Sequence, residues 1–188
     1  MTSPWLGILL VTVVLGAVMA GLKLISARCN LHPESSRKSV HILMGLVTLS
    51  FPWLFKESWP VLLLAGIAVA ALMGTRLIGP LREQFGGVLH GVARSSRGEL
   101  YFPLAVAALF LLSESSPLLY VIPLLTLTLA DAVAALVGVR YGQHRYATSE
   151  GTKSAEGSLA FFAVAFLSAH LPLLLLSNTG RAESLLIA

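Results

Sequence analysis

Long apolar runs separated by short polar stretches set the character of this chain. Six runs reach or approach the roughly 20 apolar residues that a helix needs to cross a bilayer. They are about Pro4–Ile25, Val40–Phe55, Pro60–Ile78, Leu100–Leu112, Leu118–Val139 and Ser158–Leu176. The second and fourth are short, so they recruit flanking residues or the bilayer adapts to them. A seventh run opens at Leu185 and ends with Leu-Leu-Ile-Ala, which reads as truncation before or within a final transmembrane helix. The pattern predicts an all-α, polytopic integral membrane protein with about six to seven transmembrane helices, forming a single membrane domain over 1–188. The first run has no Lys or Arg in Met1–Pro4 and is long enough to span, so a retained helix is expected rather than a cleaved leader.

The stretch Pro80–Glu99 is too polar to span. Its apolar residues Leu81, Phe85, Val88, Leu89 and Val92 share one helical face, which predicts a helix lying along the inner interface, weakened by Gly86 and Gly87.

Composition agrees with a bilayer as solvent. The chain is 56% apolar and only 12% charged, with a mean hydropathy of +0.82, whereas a soluble domain carries about a quarter charged residues. Cys29 is the single cysteine, which leaves no disulfide framework and no thiol metal site. A pI near 9.6 raises the question of nucleic acid. The basic residues instead sit between apolar runs, an arrangement that suits topology and phosphate chemistry, and no nucleic-acid partner is expected. With the N-terminus outside, eleven of the 13 Lys and Arg residues fall on the inner side, leaving only Lys56 and Arg181 outside. The positive-inside rule therefore predicts an external N-terminus and a polar, cytosolic working face.

Asp131 stands out. It lies inside the fifth run, nine residues before Arg140, and a carboxylate at the centre of a membrane helix costs on the order of 3 kcal/mol to insert. Such a residue faces a cavity, an ion or a partner; the plainer alternative is an interhelical hydrogen bond. Ala135, Gly138 and Gly142 follow on the same side, which lets a backbone or a ligand approach closely, although ordinary helix packing uses the same small residues.

The inner loop Gly142–Gly157 reads GQHRYATSEGTKSAEG and carries Arg145, Lys153, Ser154 and Glu156. Glycine N–H groups and a lysine charge suit phosphate, and the following helix would present its N-terminus to the cytosol. The spacing of a Walker A loop is absent. A merely solvated loop explains the same residues. At the start of the second helix, Arg37 and His41 are four apart and share a face, beside Lys38; an interfacial basic anchor is the competing reading. Arg97 and Glu99 mark the inner mouth of the fourth helix. His170 is expected as a packed core histidine, Lys23 as a snorkelling side chain, and Cys29, His32, His90 and His144 show no convincing partners.

Together these pieces resemble the polyprenol kinase family, which includes dolichol kinase, phytol kinase and the CTP-dependent diacylglycerol kinase. The resemblance rests on Asp131-Ala-Val-Ala-Ala-Leu-Val-Gly138, Tyr141-Gly142, Lys153-Ser-Ala-Glu-Gly-Ser158, the RKSVH of Arg37–His41 and the GELYFP of Gly98–Pro103. It covers about Ser36 to Phe166. It implies transfer of a phosphoryl group from a nucleotide triphosphate, usually CTP, to a lipid alcohol of isoprenoid type at the inner leaflet, with Mg²⁺ or another divalent cation. On this resemblance Asp131 and Glu156 are candidate metal ligands or base, and either can take either role. Lys153, Arg37 and Lys38 are expected to hold phosphates, with His41 beside them. Gly138, Gly142, Ser154 and Gly157 are expected at the nucleotide. A cytidylyltransferase making a CDP-lipid shares much of this pattern, and a small non-enzymatic transporter with Asp131 in a polar path is the third reading.

Overall fold

The structure, a computed structural model, describes residues 3–29, 33–77, 98–113, 116–148 and 151–188. The interfacial helix expected from Leu81 to Val92 lies outside the described residues. The chain divides into two compact units, Met1–Ser115 and Ser116–Ala188.

In the first unit, α1 (Pro4–Cys29) and α2 (Pro33–Thr48) form an antiparallel pair. Leu22 packs on Val40 with Val18, Met19, Met44 and Leu72 around them, and Ser36 donates to the hydroxyl of Ser26 at 2.7 Å. Proline supports the start of α2, since its missing N–H costs nothing in the first turn. The expected run Val40–Phe55 is thus two helices: α2 starts earlier, and a short α3 (Phe51–Leu54) follows a break at Leu49–Ser50 with Pro52 in its first turn. Next come α4 (Trp59–Leu77) and α5 (Gly98–Leu112). The rings of Trp5 and Trp59 meet at 5.2 Å, and the ring of Phe55 lies against Gly7. The chain start and the α3–α4 turn therefore share one end, and exposed tryptophans there match an interfacial aromatic belt.

In the second unit, α6 (Pro117–Leu125), a π-helical turn (Thr126–Ala130) and α7 (Asp131–Tyr141) run on as one helix of 25 residues. Then β1 (Arg145–Thr148) and β2 (Gly151–Ser154) form an antiparallel hairpin, followed by α8 (Ala155–Leu176) and a short α9 (Arg181–Ile187). Tyr120, Leu124, Thr128, Ala130 and Ala132 are the buried seam.

Among the described residues, three helices are long and apolar enough to cross a membrane: Pro4–Cys29, Pro117–Tyr141 and Ala155–Leu176. Shorter apolar helices cover Trp59–Thr75 and Leu100–Leu112. Large apolar side chains such as Leu9, Leu159, Phe162 and Leu175 stand exposed, which water penalises and lipid does not. The protein is a membrane protein built of α-helix, with the hairpin as its one departure from helix among the described elements.

Candidate active site

The second unit gathers most of the sequence-predicted residues where α7 meets the hairpin and α8. Glycine makes that meeting possible. A Cβ on Gly157 would lie 2.8 Å from the Ala134 carbonyl oxygen and 3.2 Å from Gly138 Cα, so the two helix backbones touch here. A Cβ on Gly142 would lie 2.8 Å from both Ser154 Cβ and Ser154 Oγ and would overlap the Gly138 carbonyl. Close approach thus belongs to the protein itself, and the packing explanation accounts for these glycines. Ser154 has a similar job. It is buried, and its hydroxyl accepts the Gly157 N–H at 3.1 Å as the N-cap of α8, a contact worth about 1 kcal/mol.

Asp131 follows directly on the π-helical turn. Such turns interrupt regular helix bonding and are common at functional sites. Its side chain is exposed, while the preceding Thr128 is fully buried with no hydrogen-bond partner for its hydroxyl. Because Gly157 packs against Ala134 and Gly138, Asp131 lies only one to two turns, about 5–10 Å along the helix, beyond the start of α8. It is therefore nearer the polar end than a count along its own helix suggests.

The segment expected as a glycine loop is the β-hairpin, pairing Arg145 with Ser154, Tyr146 with Lys153, Ala147 with Thr152 and Thr148 with Gly151. Tyr and Thr favour strands, and Gly151 adopts a φ of 124°, a region open to glycine. A two-stranded hairpin alone is marginal in water; this one is tied to α8. The Ala155 N–H donates to the His144 carbonyl at 2.9 Å, Tyr146 Oη pairs with Ser158 Oγ at 2.6 Å, and His144 Nδ1 lies 2.8 Å from Glu156 Oε1. The expectation that His144 lacks a partner is corrected: Glu156, twelve residues on, meets it once the hairpin forms. Lys153 is exposed on the strand beside Tyr146.

Glu156 gives Oε1 to both the ring and the backbone N–H of His144, the latter at 3.1 Å, and its Oε2 is closed off from solvent without a partner. Its Oε1 is thus engaged by His144, and Asp131 is the more exposed of the two carboxylates. Among the described residues, no three His, Cys, Asp or Glu side chains converge as a metal cage.

Arg37, Lys38 and His41 belong to the first unit, on α2. Arg37 is half-buried, Lys38 is buried, and His41 packs edge-on against Phe102 at 4.7 Å. His170 stacks on Phe166 at 5.6 Å, as a packed histidine should. Sequence reasoning missed His144, Tyr146 and Ser158; the alternation of RYAT and GTKS around a glycine was the available strand signal.

No protein-family model matches the chain, and no solved structure matches it. It is 36% identical over 168 residues to a phytol kinase from Synechocystis sp., a match covering 87% of this chain and 69% of that enzyme. A match of that length takes in every residue from Arg37 to Ser158. A membrane-embedded phosphotransferase with an alcohol group as acceptor is the class this defines. The chain belongs to the polyprenol and phytol kinase family.

Proposed function

We propose that the protein transfers the γ-phosphate of CTP to the hydroxyl of an isoprenoid alcohol, phytol or a polyprenol, at the cytosolic membrane face. The observation that carries this reading is the 36% identity to a phytol kinase over 168 residues, 87% of this chain. Phosphoryl transfer asks a protein mainly for positioning and charge neutralisation. Lys153 on the hairpin meets the phosphates, with Arg37 and Lys38 assigned to the same task from the family pattern. The first turn of α8 favours anions through its helix dipole. Gly138, Gly142, Ser154 and Gly157 contribute to nucleotide binding indirectly, by fixing α8 and the hairpin against α7. A divalent cation, Mg²⁺ in the first instance, would be held by Asp131 and would supply charge neutralisation.

The acceptor's tail has an apolar place to lie. A groove of about 480 Å³ between α8 and the helix formed by α6 and the π-helical turn is lined by Val121, Leu125, Leu129, Val164, Leu167 and Leu171 among others. Leu129 is two residues from Asp131, so the groove reaches about the same depth along that helix.

Purified protein with labelled nucleotide and a panel of alcohols tests the reading. Phytol and short polyprenols are expected to take label from CTP well ahead of ATP, and ahead of straight-chain alcohols of equal carbon number. Transfer to no alcohol from either donor contradicts it.

A further inference from the structure

The imidazole of His144 is anchored at one nitrogen and open at the other. Its Nδ1 lies 2.8 Å from Glu156 Oε1, and its own backbone N–H donates to the same oxygen at 3.1 Å. An ionised carboxylate only accepts, so Nδ1 carries the hydrogen and Nε2 of the neutral ring carries the lone pair. The side chain is 82% exposed, against 28% for Glu156. A carboxylate that fixes the tautomer and orientation of an exposed imidazole is the arrangement that prepares a histidine to accept a proton.

Its depth fits the substrate. The His144 carbonyl receives the N–H of Ala155, the first residue of the membrane-spanning α8. His144 therefore sits level with the start of the span. An alcohol whose tail lies in the hydrocarbon presents its hydroxyl at that boundary, since the polar end stays with water and headgroups.

We propose that His144 is the general base of the reaction, with Glu156 as its positioning residue. This rests on the kinase reading above. The acceptor O–H proton passes to His144 Nε2, and the oxygen forms a bond to the γ-phosphorus. The bond from that phosphorus to the β,γ-bridging oxygen breaks, and its electron pair leaves with the nucleoside diphosphate. The Glu156 carboxylate balances the imidazolium until the proton is released to water. Asp131 then belongs to the phosphate side, and the two carboxylates have different tasks.

The test compares His144→Asn with His144→Ala under γ-labelled CTP and phytol. Asparagine places an N–H close to where Nδ1 was, keeping the bond to Glu156 but supplying no base. His144→Asn is expected to purify and unfold like the wild type, hold the nucleotide KM within about threefold, and lose kcat by about 100-fold or more. Added imidazole should restore turnover to His144→Ala, and methylated imidazoles should do so in order of their basicity. A purely structural latch would show neither the split between kcat and KM nor the rescue. His144→Asn with kcat near wild type, or His144→Ala turnover indifferent to imidazole, overturns the assignment while the kinase reading stands. An inactive wild type overturns both.

Discussion

Asp131 and His144 show the two ways a single residue declares itself. Asp131 is legible in sequence because a carboxylate surrounded by apolar residues is costly in lipid wherever the helix turns. His144 is not, because its value depends on the register of a hairpin that brings Glu156 back to it. The glycines fall between. Their spacing was visible, but the sequence alone left ligand approach and helix packing open, and the Ala134 carbonyl oxygen, 2.8 Å from where a Cβ on Gly157 would sit, favours packing. Asp131→Asn keeps size and hydrogen bonding and removes the charge. Turnover should fall about 100-fold or more, with insertion and thermal unfolding unchanged; a variant near full activity makes Asp131 a structural residue. Lys153→Ala, at an exposed position, should raise the nucleotide KM roughly tenfold or more without altering stability, since a charged hydrogen bond contributes about 1.5–3 kcal/mol.

Among the elements, the apolar helices were legible because lipid requires runs of that length with the backbone bonded internally. The π-helical turn before Asp131 and the hairpin after α7 were not. The first changes hydrogen-bond partners without changing the apolar pattern, and the second is built from only four residues per strand. The hairpin and the α7–α8 contact should also be separable by stability. Gly157→Ala pushes a methyl group to 2.8 Å from the Ala134 carbonyl oxygen and is expected to destabilise by about 1–3 kcal/mol, as overpacking does. Ser154→Ala removes the cap of α8 and is expected to destabilise by about 0.5–2 kcal/mol. Thermal unfolding in detergent reads both, and a melting temperature unchanged in the pair contradicts the packing described for this end of the helices.

For the whole molecule, the distribution of charge makes a claim about sides. If eleven of the 13 basic residues lie inside, then Gln143, at the α7–hairpin junction, faces the cytosol, and Asn178, beyond the far end of α8, faces outward. Both are exposed. Single cysteines there, in a Cys29→Ser background, should be labelled by an impermeant thiol reagent from opposite sides; labelling from one side contradicts the arrangement. The reaction itself is tested most directly by the position of attack. With γ-labelled CTP and phytol, label should enter the lipid phase in a Mg²⁺-dependent manner, and with α-labelled CTP it should stay in water as CDP. Entry of the α-label into lipid, with release of pyrophosphate from a lipid phosphate, contradicts the kinase reaction and makes the protein a cytidylyltransferase.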